Sequence, residues 1–118
     1  MRFMIMFKAD SDTEEAAPAC MMLPEMQQFI AELRREGVLV GTEGLKPSAR
    51  NAARVRHSGG KVTVTDGPFA EAKELVAGFA LVDVPSRDAA LQLTHRFLEI
   101  AGDAHAELRE VFEPHEPR

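Results

Sequence analysis

The residues best suited to chemistry gather around one predicted turn. Asp66 is followed by Gly67 and Pro68, while Glu43 and His57 lie in predicted strands upstream of it. Two carboxylates in different surroundings can act as a general acid and a general base, and a histidine can carry the proton near neutral pH. The sequence therefore predicts acid/base roles for Asp66, His57 and Glu43.

The same turn also has a purely structural interpretation. The Asp66 carboxylate can accept the backbone N–H of Phe69, with Gly67 supplying conformational freedom and Pro68 fixing φ. Phe69 then fills space in the core or in the dimer interface, and the charged side chains of Glu71, Lys73 and Glu74 face solvent. In the functional alternative, Gly67, Pro68 and Phe69 border a ligand and Lys73 neutralises an anionic group or pairs with Asp66.

Other kinds of site find little support. The four histidines His57, His95, His105 and His115 include no helical pair of ligands four residues apart. The single cysteine, Cys20, has no basic neighbour in the sequence and is interpreted as a half-buried bystander. The chain also lacks a nucleophile elbow and a phosphate-binding loop, so we expect no metal and no cofactor.

Charge and composition narrow the partners. The net charge is −5, and no basic stripe interleaves with the seven phenylalanines, which disfavours direct binding to nucleic acid. The apolar run 3–7 is too short for a signal-peptide core and continues into charged residues, so we expect a cytoplasmic protein without a membrane segment.

Hydrophobic periodicity predicts two βαβ halves separated by a hairpin. Pro24 opens an amphipathic helix that stops at Gly37, and Ser86 is the predicted N-cap of a second helix that stops at Gly102. Residues 10–21 are predicted to be a loop. The strands are predicted over 2–9, 38–45, 53–57, 61–65, 75–84 and 105–112, with Ser58, Gly59 and Gly60 forming the hairpin turn.

This order favours a ferredoxin-like α+β domain over residues 1–113, with 114–118 as a frayed tail. Strands 2–9 and 75–84 are apolar at both parities, so both of their faces should be covered. Two helices cover only one face of a four-stranded sheet. A second copy packed sheet to sheet would cover the other, which predicts a homodimer.

The segment Val64-Thr65-Asp66-Gly67-Pro68-Phe69-Ala70-Glu71-Ala72-Lys73-Glu74 resembles the signature of the YCII-related (DGPF-domain) family. Gly78-Phe79 and Glu110-Val111-Phe112-Glu113 extend the resemblance along the chain. It implies a dimeric α/β-barrel type of assembly. A His/Asp pair proposed as catalytic in the founding branch does not carry over, because the first histidine here is His57, and Ala72 stands where many relatives have Thr.

Two functions remain open at this point. The first is a dimeric small-molecule-binding domain, with acid/base activity on a small polar metabolite at Asp66, Glu43 and His57. The second is an accessory or regulatory protein that acts through protein contacts. Members of the resembled branch are often encoded beside sigma factors, which links this alternative to transcription.

Overall fold

Six strands and two α-helices follow one another in the computed structural model, which describes residues 1–102 and 104–114. In chain order they are β1 (Arg2–Ala9), α1 (Pro24–Arg35), β2 (Leu39–Gly44), β3 (Ala53–Ser58), β4 (Lys61–Asp66), β5 (Leu75–Asp83), α2 (Arg87–Ala101) and β6 (His105–Glu110). The architecture is α+β, as predicted. Of the predicted tail 114–118, residues 115–118 lie outside the described part of the chain.

Four of the strands form one antiparallel sheet in the order β2-β5-β1-β6. Strands β3 and β4 pair with each other as a separate two-stranded sheet, here called the hairpin. The two βαβ connections therefore interleave, and β1 and β5 occupy the centre, as their doubly apolar sequences indicate.

The core lies between one face of the main sheet and the two helices. Phe3 and Ile5 of β1 are buried against Ala80 and Val82 of β5, and Phe97 of α2 closes the cluster. The Phe97 ring meets the rings of Phe7 and Phe29 edge-on, at centroid distances of 5.4 and 4.9 Å. Burying each such large side chain contributes about 1.5–3 kcal/mol to folding.

Both helices begin where the sequence predicts. Helix α1 starts at Pro24, whose missing N–H costs nothing in a first turn, and it ends with Arg34 and Arg35 near its negative pole. At the start of α2, the Ser86 hydroxyl accepts the Ala89 N–H at 3.1 Å and so caps the helix.

The stretch predicted as a loop over 10–21 is partly ordered, because Ala17–Met22 forms a 3-10 helix. Pro18 is tolerated in its first turn, and the short segment packs against both α-helices. The sequence gives no sign of it, since six residues are too few for a hydrophobic period to emerge.

The prediction that β1 and β5 are covered on both faces is not met within one chain. The helix-distal side of the sheet carries a half-buried apolar centre on which no described element of this chain packs. We call it the open face, and its centre consists of Met4, Met6, Phe79 and Leu81, which are direct register neighbours.

Candidate functional site

The predicted turn at Asp66 packs tightly against the loop that leads into β3, at the base of the hairpin. A Cβ atom added at Gly67 would overlap the backbone oxygen of Ser48, so the position accepts only glycine. The Gly67–Pro68 peptide bond is cis. The Gly67 N–H donates to the Ala52 carbonyl at 2.9 Å. This hydrogen bond and the close approach to Ser48 together fix where the hairpin leaves the body of the protein.

Ser48 is the centre of a hydrogen-bond network that the sequence did not predict. Its N–H and its hydroxyl both donate to the Glu14 carboxylate at 2.6 Å, and its hydroxyl oxygen accepts the Phe69 N–H at 3.0 Å. Ser48 is buried, whereas Asp66 is exposed at the end of β4. The predicted hydrogen bond from Phe69 to Asp66 is thus replaced by one to Ser48, which lies 21 positions away in the sequence.

A cation adds to this network. The Arg54 guanidinium lies 4.0 Å from the centroid of the half-buried Phe69 ring. A cation at that distance over an aromatic face is attracted to the ring. The hairpin is therefore anchored at its base by the Gly67 turn, Ser48 and this stacked pair.

The loop that carries Glu14 is stiffened in turn by Asp10. The Asp10 carboxylate accepts hydrogen bonds from the Thr13 hydroxyl and from the N–H groups of Thr13 and Asp12, which lowers the pKa of Asp10 below its ordinary value. The Ser11 N–H also donates to the Ala72 carbonyl at 3.1 Å. Through these contacts the signature segment holds the start of the loop that leads into the 3-10 helix.

A cavity of about 550 Å³ lies where this loop and the 3-10 helix arch over one end of the main sheet. Small-molecule sites in proteins are typically about 300–1,000 Å³ and mostly apolar. Most of the lining here is apolar, from β1, from β5 and from the 3-10 helix with its flanks: Phe7, Ala9, Ala77, Pro18, Met21 and Leu23. The cavity therefore has the size and the character of a ligand site.

The cavity lining also includes polar residues from the strands, the loop and the 3-10 helix: Lys8, Asp10, Thr13, Cys20, Thr42, Glu43 and His105. Thr42 lies in β2 opposite Ala80, a core residue, so its side chain is on the helix side of the sheet. Its hydroxyl donates to the Phe79 carbonyl at 2.7 Å and keeps lone pairs that can accept. Cys20 also lines the cavity, and burial raises the pKa of its thiol, so it is uncharged at neutral pH.

The close approach of β2 and β5 at the cavity floor depends on Gly78. Gly78 of β5 pairs with Gly44 of β2, and a Cβ atom at Gly78 would lie 2.9 Å from the Glu43 carbonyl oxygen, which is too close. A Cβ atom at Gly44 would lie 3.7 Å from the Met21 side chain, which is an ordinary contact distance. Glycine is therefore required at position 78 and not at position 44.

The three residues with predicted acid/base roles do not share this cavity. Glu43 lines it, but Glu43 pairs with Phe79, so its carboxylate belongs to the open-face side of the edge strand. Asp66 and His57 lie in the hairpin, where His57 pairs with Val62. Four residues of strand separate Val62 from Asp66, or about 13 Å. Asp66 and His57 are therefore far apart along the hairpin.

The predicted ligand-binding residues lie in the connection between the hairpin and β5. Gly67 and Phe69 belong to the network around Ser48, while Pro68 and Lys73 are exposed. Their roles towards a ligand stay predictions. Across residues 1–102 and 104–114, no three histidine, cysteine, aspartate or glutamate side chains are grouped so that they could hold a metal ion.

The arrangement around the Asp66 turn agrees with the comparison to known families, in which the model of the YCII-related domain matches residues 1–113. The chain belongs to the YCII-related family. The resemblance carried by the segment 64–74 is thereby confirmed. In this YCII-related chain the signature residues build the hairpin base and hold the loop that covers the cavity.

One curated relative is similar to part of the chain. An uncharacterised protein of Rhizobium meliloti (strain 1021) is 58% identical over 40 residues. The aligned segment spans 34% of this chain and 32% of that relative.

No helix in residues 1–102 and 104–114 of this YCII-related chain is long and apolar enough to cross a membrane.

Proposed function

We propose that this YCII-related protein is a small-molecule-binding domain that works as a homodimer, with its ligand site in the cavity beneath the 3-10 helix. The observation that carries the proposal is the cavity itself: about 550 Å³, mostly apolar, and bounded by a loop that several hydrogen bonds hold in place. A preformed site of this kind loses little conformational entropy when a ligand enters.

The lining favours a compact and mostly apolar compound with few hydrogen-bonding groups. The Thr42 hydroxyl is a polar partner on the sheet wall, and Asp10, Thr13 and His105 also line the cavity. This departs from the sequence-based expectation of a small polar metabolite, because the mostly apolar lining would not replace the hydration of a strongly charged compound.

Acid/base activity on the bound compound is a further part of the proposal, and Glu43 is its candidate proton acceptor. Of the three predicted acid/base residues only Glu43 borders the cavity, since Asp66 and His57 are in the hairpin. Its carboxylate starts on the open-face side of β2 and would reach the ligand around the free edge of that strand. Glu43→Gln should then keep ligand affinity within about twofold but abolish turnover, since an amide cannot take up the proton.

The dimer in this proposal is of the ferredoxin-like, α/β-barrel type, with two open faces packed together. The sheet order β2-β5-β1-β6 supports it, as does the composition of the open face. Around its apolar centre lie charges of both signs, including the pairs Lys8 with Glu107 and Arg109 with Glu107 at 3.9 and 3.2 Å. An apolar centre with a charged rim is typical of protein interfaces.

A thermal-shift screen with a metabolite library tests the binding function. A compound at 100 times its Kd should stabilise the native state by about 2.7 kcal/mol, and Thr42→Val should reduce that effect because it keeps the shape but removes the hydroxyl. The hit should also slow alkylation of Cys20, which lines the cavity. Stabilisation without any protection of Cys20 would place the ligand elsewhere.

One observation favours the second candidate, a regulatory protein that acts through protein contacts. The hairpin exposes Val55, Val62 and Val64, which lie outside the centre of the open face. If a different protein covers this surface, the regulatory function gains its contact site. The experiment in the next subsection separates that outcome from a contact between two copies of the chain.

A further inference from the structure

The hairpin receives little support from the rest of the described chain. All twelve residues of β3 and β4 are exposed, and these strands form a sheet separate from the main one. An isolated two-stranded hairpin is marginally stable in water and usually needs a third strand or a packing partner. The contacts described above anchor the base of this hairpin and leave its length uncovered.

The two faces of the hairpin differ in chemistry. The register pairs Val55 with Val64 and His57 with Val62, so the three valines share one face. Their exposed fractions are 67%, 59% and 64% for Val55, Val64 and Val62. We call this the valine face. The opposite face, here the basic face, carries Arg54, Arg56, Ser58, Lys61, Thr63 and Thr65.

Contacts at the base indicate which way each face is turned. Arg54, on the basic face, stacks on Phe69, which is joined through Ser48 to Glu14. The loop that carries Glu14 continues into the 3-10 helix, which packs against α1 and α2. The basic face is therefore turned towards the helix side of the molecule, and the valine face towards the same side as the open face.

The charge of the hairpin bears on how it approaches a partner. Arg54, Arg56 and Lys61 lie on the basic face, so they would not contact a partner packed on the valine face. With Asp66 as the single carboxylate they give the hairpin a net charge of +2, whereas the chain as a whole has −5 and the part outside the hairpin therefore −7. A second copy of the chain thus offers an acidic body that attracts a basic hairpin at long range, which steers association.

We infer that the hairpin is a dimerisation arm, whose valine face packs on the second copy of the chain beside the open face. This rests on the proposed homodimer and adds a second contact region to it. A stable interface takes about 800 Å² from each partner, about a tenth of the 8198 Å² surface of this chain. Continuity of the valine face with the open face extends the contact area beyond the four apolar side chains of the centre.

The test replaces the three valines by threonine, which keeps the branched shape and the preference for strands but exchanges one methyl group of each side chain for a hydroxyl. The triple variant Val55→Thr, Val62→Thr, Val64→Thr should raise the dimer dissociation constant by about 10- to 100-fold in analytical ultracentrifugation. Amide exchange in residues 53–66 should be slow in the wild-type dimer and fast in the variant at the same concentration.

The reciprocal variant Thr63→Val, Thr65→Val is the matched control, because it makes the opposite exchange on the basic face. It should leave the dissociation constant within about threefold of the wild-type value, below the shift expected of the triple variant. Unaltered circular dichroism of the body will show that each variant folds.

The possible outcomes test the dimerisation arm separately from the homodimer. A wild-type protein that is monomeric at every concentration overturns the homodimer and the arm together. A wild-type dimer whose dissociation constant does not change in the triple valine variant overturns the arm alone, and leaves the valine face as a site for a different protein. An equal loss of affinity in the triple variant and in the control also overturns the arm, since it shows a general effect of the hairpin.

Discussion

Ser48 shows how far a local pattern can mislead at the level of a single residue. The sequence indicates that Asp66 organises the turn, because an aspartate before Gly-Pro can accept a nearby N–H. In the fold, Ser48 takes that role from 21 positions away, and Glu14 joins it from 34 positions away. Separations of that size leave no local signal, so only the tertiary structure reveals the network.

Stability measurements can test this exchange of roles. Ser48→Ala should lower the free energy of unfolding by about 2 kcal/mol, because it leaves the Phe69 N–H and one Glu14 oxygen without their partner. The matched change Asp66→Ala, at an exposed position, should alter it by less than about 0.5 kcal/mol. Chemical denaturation of both variants checks the comparison. A larger loss in Asp66→Ala than in Ser48→Ala would restore the sequence-based interpretation of the turn.

The pH dependence of Cys20 is a second prediction for a single residue. Burial raises the pKa of its thiol above the ordinary value of 9.0. The folded state therefore disfavours the thiolate, and the stability linked to this group is complete below pH 9 and is lost as the pH rises through the higher folded-state pKa. Alkylation by iodoacetamide at pH 8 should be slower in the folded chain than in urea. Equal rates would show that the thiol is not desolvated.

Among the elements, those with a regular period could be predicted and the irregular ones could not. Strands β1 and β5 and helices α1 and α2 follow from apolar spacing, from Pro24 in the first turn of α1 and from the N-cap Ser86 of α2. The 3-10 helix Ala17–Met22 follows from neither, and it is the element that roofs the cavity. The sequence did not predict the site, because the 3-10 helix that covers it shows no hydrophobic periodicity and because the volume of the cavity depends on tertiary packing.

Two alanines of the main sheet test whether the cavity has room for a larger side chain. Ala9 and Ala80 are both buried on the helix side, but Ala9 lines the cavity and Ala80 lies within the packed core. Ala9→Leu should therefore be tolerated within about 1 kcal/mol, whereas Ala80→Leu should destabilise the fold by about 1–3 kcal/mol. Thermal unfolding of the two variants measures the difference. Equal destabilisation would mean that the space beside Ala9 is not available.

At the scale of the whole molecule, the doubly apolar sequences of β1 and β5 are explained on one face only. The helices cover that face, and the other keeps four half-buried apolar side chains at its centre. The resemblance to the YCII-related family and the sheet order both favour a second copy there.

A charge placed at the centre of the open face tests the proposed dimer. Met6→Lys should leave the fold intact, because Met6 is only half-buried within one chain, and should produce a monomer because the dimer would bury an unpaired ammonium group. Light scattering should give twice the 13.0 kDa chain mass for the wild-type protein and the single mass for the variant. Leu91→Lys, at an exposed position of α2, is the control and should remain dimeric.

Calorimetric titration of one compound into two proteins tests the proposed ligand site most directly. The compound is the strongest hit of the thermal-shift screen, and the proteins are the wild type and Ala9→Leu, whose added side chain occupies part of the cavity. We expect the variant to fold and its Kd for that compound to be at least about tenfold higher, a loss of about 1.4 kcal/mol in binding free energy. Equal affinity for both proteins would contradict the account, because it would place the ligand outside the cavity beneath the 3-10 helix.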